Sequence, residues 1–404
     1  MEKRMNHSKS FSRVTMGMKS SLIRELVAST KNIPGLISFA GGFPSPKTFP
    51  AQQLAEIFRE VVKNEGQDVL QYGASEGDSL LKEQLLKWEG LDLSQDEMMI
   101  SVGATNALYY YGKTLVDPGD VVLCEAPTFL GSLVAFDALE ADCQSVPFDD
   151  DGILMAEIEA KVRSLRLRGK NIKFIYVIPD FHNPGGISYS LQRRRELIRF
   201  CLDNEIPIVE DNPYSRLRYS GEPLPTLFSL ARGEFGDTSL VTEIVSFSKI
   251  LGPGMRVAFA KGDKELIGKM VSWQQKINIT PDCVAQRAVA RFLEKGLMDP
   301  HIASIRAFYT PYLQKMLSDL ERYMPESVTW TKPQGGIFLW MTLPENVNAD
   351  ELFHAAAQRQ VSFIPGSKFY PQGQERYNKL RLNFSFATPQ QIETGIRRLA
   401  ELLV

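Results

Sequence analysis

From residue 52 onward the chain alternates between stretches with apolar positions at helical spacing and short apolar runs, the pattern of an α/β protein with a largely parallel sheet. The runs at 121–124, 172–178, 207–209, 240–246 and 257–260 are short, β-rich and bounded by polar, Gly or Pro residues, so each predicts a strand. Helices fall between them. The stretch 191–202 carries apolar residues at 191, 197, 198 and 202, and another helix begins at Thr105 and runs to about residue 115. Past about residue 297 the character changes: a long helical stretch at 302–323 leads to strands at 336–343 and 379–384 and a closing helix from Pro389, which reads as a smaller α+β unit. The first 45 residues hold a helix-like segment at 20–27 and the Gly/Pro-rich Phe39-Ala-Gly-Gly-Phe-Pro-Ser-Pro, too little for a domain and better suited to an arm or lid. The expected division is therefore 1–45 (arm), 46–296 (large domain) and 297–404 (small C-terminal domain).

Composition narrows the possible partners. With 404 residues and 44% hydrophobic content, the chain can bury a large core. Its 46 Lys and Arg against 48 Asp and Glu are dispersed, so no electrostatic footprint for nucleic acid or membrane stands out, and small molecules are the expected ligands. The four cysteines, Cys124, Cys143, Cys201 and Cys283, are far apart and form no Cys-x-x-Cys pair, which fits a reducing, cytoplasmic setting. The first residues lack the apolar core of a signal peptide, and the richest apolar run, 337–343, is too short to span a bilayer. Four scattered histidines predict no metal site, and no Gly-x-Gly-x-x-Gly follows a first strand, which disfavours dinucleotide chemistry.

Open α/β sheets bind ligands beyond the carboxyl ends of their strands. Three such ends carry polar residues: Asp211 in Val209-Glu-Asp-Asn-Pro-Tyr214, Asn183 in Pro179-Asp-Phe-His-Asn-Pro-Gly-Gly, and Lys249 in Ser246-Phe-Ser-Lys. Lys249 is followed by Ile-Leu-Gly252-Pro-Gly254-Met-Arg256, so hydroxyls, a cation and permissive backbone crowd one amine. A phosphate would want such a setting, with Ser246 and Ser248 as hydroxyl donors and Arg256 as a charged one. A cationic neighbour also lowers the amine's pKa and favours the neutral nucleophile that imine formation requires.

At this point the chain resembles the fold type I pyridoxal 5'-phosphate (PLP) enzymes. Within them it resembles the class I/II aminotransferases, especially the branch acting on 2-aminoadipate, kynurenine and related amino acids. The resemblance is carried, in order, by Ser38-Phe-Ala-Gly-Gly-Phe-Pro, Gln71-Tyr-Gly, Asn183-Pro, Asp211-Asn-Pro-Tyr, Ser246-Phe-Ser-Lys and Arg381-Leu-Asn-Phe, and covers nearly the whole chain. It implies a large domain with a mostly parallel seven-stranded sheet, a smaller α+β domain and a homodimer with shared active sites. It implies that Lys249 holds PLP as an imine and later shuttles the substrate proton, that Asp211 pairs with the pyridinium nitrogen, and that Asn183 and Tyr214 meet the phenolate oxygen. The phosphate would rest on Ser246, Ser248, Arg256 and the helix start at Gly103, Ala104 and Thr105, with Tyr72 reaching across from the neighbouring subunit. Phe129 would stack on the ring. Arg381 would anchor the substrate α-carboxylate bidentately, with Asn183 and Gly42 beside it and Arg24 facing a distal carboxylate.

Taken singly, these residues have plainer readings: Arg381 as an exposed charge on an amphipathic strand, Arg24 as an exposed helix residue, Phe129 as core, and the Asn-Pro and Asp-Asn-Pro segments as turns and strand ends. The chain also departs from the branch. His182 stands where Gln is frequent, Gly185 where Thr is common, Phe129 for Tyr, Ala258 for Gly, and Thr105-Asn106 for a frequent Gln pair. The expected reaction is transfer of an amino group from an L-amino acid, with glutamate as one partner, to a 2-oxo acid by a ping-pong route. The second substrate is expected to be 2-aminoadipate-like, aromatic or branched-chain. Another PLP reaction at Cα, such as decarboxylation, elimination or racemisation, is the nearest rival. A ligand-sensing regulator is more distant, since the 45 residues ahead of the large domain lack a basic helical pair for DNA.

Overall fold

The computed structural model describes residues 7–17 and 33–403. The predicted helix at 20–27, and Arg24 with it, lie outside the described residues.

The main sheet assembles from β2 (Met98–Ser101), β3 (Val121–Ala126), β4 (Asp142–Asp149), β5 (Gly152–Ile153), β6 (Ile172–Val177), β7 (Ile208–Asn212), β8 (Val241–Ser246) and β9 (Ala258–Lys261). Their spatial order is β2-β9-β8-β7-β6-β3-β4-β5. The pairs from β8 through β7, β6 and β3 to β4 are parallel. The strand β9 runs antiparallel to both β2 and β8, so the sheet is mixed at that edge. Seven strands were expected and the sheet has eight; the extra one is the two-residue β5, a hairpin return on the end of β4. The central strands β7 and β8 are buried at every position, because helices cover both faces of a parallel sheet.

Helix boundaries follow local chemistry. The helix Leu191–Asp203 starts where Ser190 accepts a hydrogen bond from the Arg193 N–H, and Pro389–Ala400 starts on a capping box of Thr388 and Gln391 with Pro at its first position. The long helix begins earlier than its apolar pattern suggested, at Met298, since Pro300 in its first turn needs no hydrogen-bond partner.

A second, antiparallel sheet of order β10-β11-β14-β13 combines β10 (Thr329–Trp330), β11 (Phe338–Thr342), β13 (Ile364–Pro365) and β14 (Lys379–Asn383). The short β1 (Ile37–Ser38) pairs parallel with β12 (Val361–Ser362), which docks the N-terminal stretch on the C-terminal unit. One apolar cluster joins Tyr214, Leu217 and Phe247 of the main-sheet side to Ile337, Phe338 and Leu380 of the second sheet. The strand ends of the main sheet therefore open against β14, and polar groups placed there are shut away from water.

Candidate active site

The three polar strand ends meet at this seam. Asp211 is the penultimate residue of β7, one strand from Ser246 at the end of β8, and Asn183 leaves the loop that follows β6. Lys249 closes a short 3-10 turn capped by Ser246, whose hydroxyl accepts from the Ser248 N–H at 3.2 Å. This turn brings the lysine back over the sheet, and Nζ donates to the Gly42 carbonyl at 2.8 Å. Burial, then the positive field of Arg381, lower the Lys249 pKa to about 8, with Asp211 opposing.

Arg381 is 3% exposed in the middle of β14, opposite Trp340 of β11 and Ile364 of β13. The plain reading of a surface charge is thereby corrected: this strand is covered on both faces. Its guanidinium is sandwiched near Phe338 and Phe369, at 4.2 and 5.0 Å from the ring centroids, and donates from Nη1 to Asn183 Oδ1 at 2.9 Å and from Nη2 to the Ala40 carbonyl at 2.8 Å. Burial lowers its pKa to about 10. A cation this enclosed, with Nε left unpartnered, is set up for an anion. Gly42 is pressed against it: a Cβ there would lie 3.8 Å from Nη2.

Asp211 is 2% exposed, and Tyr176 donates to its Oδ2 at 2.7 Å. Burial raises its pKa to about 6, with the Tyr176 hydrogen bond opposing and Glu125 adding to the lift. Tyr214 is buried, and the Lys249 amine lies 5.9 Å over its ring.

The helix Ala104–Leu115 opens on Gly103, whose φ of +81° suits glycine. A Cβ at 103 would collide with Arg256 Nη2, so the guanidinium occupies the space a side chain would take, right at the helix start. Ala104 is partly buried and Thr105 is exposed there, and the first N–H groups of a helix have no partner within it. Phe129 is the residue before the helix Leu130–Asp137; it is half-buried, and its neighbour Thr128 donates its N–H to the Phe369 carbonyl at 2.7 Å. Tyr72 is 73% exposed and stands apart from the buried group.

These residues fit PLP. Asp211 Oδ1 is buried with no partner, which suits a ring N–H; the Gly103 and Arg256 corner, with Ser246 and Ser248, suits a phosphate; and Lys249 is an amine of depressed basicity. Sequence reasoning missed three contributors: Tyr176, the buried Glu125, and the structural use of His182. Tyr176 carried a faint signal, since period-two alternation on β6 puts it on the same side as Phe174 and at the carboxyl end of the strand.

A family model for aminotransferases of class I and II matches residues 36–399. The chain is 36% identical over 403 residues to aromatic-amino-acid aminotransferase 1 of Thermococcus litoralis, covering 99% of this chain and 95% of that protein. Among solved structures it is similar to a multiple substrate aminotransferase from Thermococcus profundus, with TM-score 0.93, 36% identity and coverage of 99% of this chain and 98% of that one. It is also similar to the alpha-aminoadipate aminotransferase of Thermus thermophilus complexed with N-(5'-phosphopyridoxyl)-L-leucine, with TM-score 0.89, 34% identity and coverage of 99% and 98%.

Proposed function

The chain belongs to the class I and II aminotransferases, PLP-dependent enzymes that move an amino group from an amino acid to a 2-oxo acid, and from that premise we propose how its residues divide the work. The observation that carries the division is Arg381, a buried fork with an unpartnered Nε, held by Asn183 within the field of the Lys249 amine. Arg381 binds the α-carboxylate of donor and acceptor alike and so orients the Cα–H bond. Lys249 would hold the cofactor through Nζ, and its amine would move the proton at Cα. PLP, when bound, supplies the electron sink for the pair left at Cα. Asp211 would keep the ring nitrogen protonated, Asn183 and Tyr214 would meet the phenolate oxygen, and Phe129 would pack on the ring face. Ser246, Ser248, Arg256 and the Gly103 to Thr105 helix start hold the phosphate.

The amino donor is L-glutamate in a ping-pong cycle, and the second substrate is 2-aminoadipate-like, aromatic or branched-chain. That range is supported by relatives named for aromatic amino acids, alpha-aminoadipate and multiple substrates. Arg24 would meet a distal carboxylate. Two copies share their active sites through Tyr72: exposed Leu70, Tyr72, Ile277 and Ile279 lie on neighbouring segments, joined where the Ser75 hydroxyl donates to the Ile279 carbonyl. The division at 1–45, 46–296 and 297–404 and a cytoplasmic location complete the proposal. Among the described residues no helix is long and apolar enough to cross a membrane.

The test is the visible spectrum of the purified protein with PLP, titrated with L-glutamate, L-2-aminoadipate, L-phenylalanine and L-leucine. The cofactor band should convert to the pyridoxamine form and return on adding a 2-oxo acid, and Lys249→Ala should do neither. Carbon dioxide release, elimination products or racemised substrate without amino transfer would point to the rival Cα chemistries. A protein that takes up no PLP would overturn the proposal.

A further inference from the structure

Gly185 is a glycine for reasons of space rather than backbone. Its φ lies outside the left-handed region, unlike that of Gly186 at +72°, so alanine would suit the chain there. A Cβ at 185 would nevertheless stand 2.9 Å from His182 Nδ1 and 2.9 Å from Phe148 Cζ. The fully buried imidazole fills that slot: Nδ1 accepts from the Gly185 N–H at 2.9 Å, and the ring packs on Phe148 with centroids 4.7 Å apart. With Nδ1 accepting, the proton of a neutral imidazole sits on Nε2. That nitrogen lies 3.1 Å from Glu125 Oε2, though off the line of a directional hydrogen bond, so the contact is electrostatic. Glu125 is itself buried at the end of β3 and accepts from the Tyr189 hydroxyl at 2.6 Å and the Ile178 N–H at 2.8 Å. It thus ties β3, the exit of β6 and the loop back from residue 189 to one point.

Asn183 sits inside the turn that this arrangement closes, and its Oδ1 receives Arg381 Nη1. We propose that Glu125, His182 and Gly185 are positioning residues for Asn183: the imidazole, held by Glu125 and admitted by the absent side chain at 185, props the turn that sets Arg381 for a substrate carboxylate. The proposal rests on the roles given above to Asn183 and Arg381. A glutamine at 182 can reach toward Glu125 with its amide, but its unbranched Cγ places no atom where Nδ1 stands. It therefore vacates the His182 side of the slot that a side chain at 185 would need and leaves Phe148, which is half-buried, as the one neighbour that must still shift. The two positions should be tolerated together better than the change at 185 alone.

The experiment is a double-mutant cycle of wild type, Gly185→Ala, His182→Gln and the double variant, with two readouts. One is KM and kcat for L-glutamate and for L-phenylalanine, which share only the α-amino acid group. The other is the Tm of the cofactor-free protein. Gly185→Ala should raise KM about tenfold for both donors, equivalent to about 1.4 kcal/mol, change kcat less, and lower Tm. His182→Gln should have a smaller effect, and the double variant should match it rather than the product of the two single changes. Additive behaviour, an unchanged KM in Gly185→Ala, a KM effect confined to one donor, or recovery of Tm without recovery of KM would each overturn the proposal. If Gly185→Ala does not fold, the double variant and His182→Gln are compared directly. Equal KM and Tm support the proposal and unequal values sink it. Uptake of PLP by wild type is read first, so failure of the assigned cofactor roles is seen before any variant is compared.

Discussion

Replacing Asp211 with Asn should stabilise the cofactor-free protein at neutral pH while crippling turnover. In the fold Asp211 has one partner, the Tyr176 hydroxyl on Oδ2, and its Oδ1 faces no donor. Burial lifts its pKa from the ordinary 3.8 to about 6, with Glu125 adding and Tyr176 and Lys249 opposing. At 1.36 kcal/mol per pH unit, that lift corresponds to a cost of ~3 kcal/mol once the carboxyl is ionised in the fold. Folded Asp211 holds its proton more tightly than the unfolded chain does, so the cost is absent below the ordinary pKa, grows as pH rises toward about 6 and is constant above it. Asparagine carries no charge at any pH and keeps an oxygen for Tyr176. The stability difference, variant minus wild type, should therefore climb with pH and level off at ~3 kcal/mol near neutrality. Urea unfolding of PLP-stripped protein across that window measures it. Added PLP should narrow or reverse the order, because only the carboxylate gains a charged partner, and kcat of the variant should fall by about 100-fold or more. A difference that stays flat with pH, or an Asn variant less stable than wild type at pH about 8, would refute the claim that Asp211 waits unsatisfied for the cofactor.

Arg381→Lys keeps the charge but loses the fork that reaches Asn183 and Ala40 together, so KM should rise about 30-fold for amino and 2-oxo acids alike; a change confined to kcat would contradict a carboxylate anchor. Gly103→Ala should weaken PLP affinity by at least about tenfold, because its Cβ would push Arg256 Nη2 out of its place, whereas turnover at saturating PLP should change far less; fluorescence titration of the cofactor-free protein decides this. The rate at which that protein takes up PLP should rise with pH around a midpoint near 8, where burial and Arg381 have brought the Lys249 amine, and Arg381→Leu should move the midpoint upward; an unmoved midpoint would mean that the two groups are not coupled.

Much of this site was legible because strand ends are legible. Asp211, Asn183 and Lys249 each follow an apolar run whose period marks a strand, and a parallel sheet gathers such ends at one edge. Burial of charge was not legible. Arg381 alternates with Leu380 and Leu382, a pattern that fits a half-exposed strand, yet β11 and β13 flank it and Phe338 and Phe369 cover it. Glu125 closes an apolar run and resembles any polar terminator; only the convergence of Tyr189, Ile178 and His182 gives it a role. The strand β4, Asp-Cys-Gln-Ser-Val-Pro-Phe-Asp, escaped because half of its residues are polar and Pro147 interrupts it: near the sheet edge it is only partly buried, so nothing forces an apolar pattern on it. Likewise β2 lies in a short segment, and its antiparallel pairing with β9 depends on residues about 160 positions away, beyond any local signal.

Three charged groups, Asp211, Lys249 and Arg381, are each pushed toward their neutral forms, with burial the largest cause in every case. The shifts are also linked, since the Arg381 charge lowers Lys249 while Asp211 raises it. With Arg381 as the proposed carboxylate anchor, an arriving substrate carboxylate would cancel the positive field there, and the Lys249 amine would become a stronger base as a result. On these proposed roles an α-amino acid would bring its own activation: the end that binds would strengthen the group assigned to take the proton at Cα. An amine without the carboxylate would lose both orientation and basicity, and its deficit should appear in kcat as well as in KM.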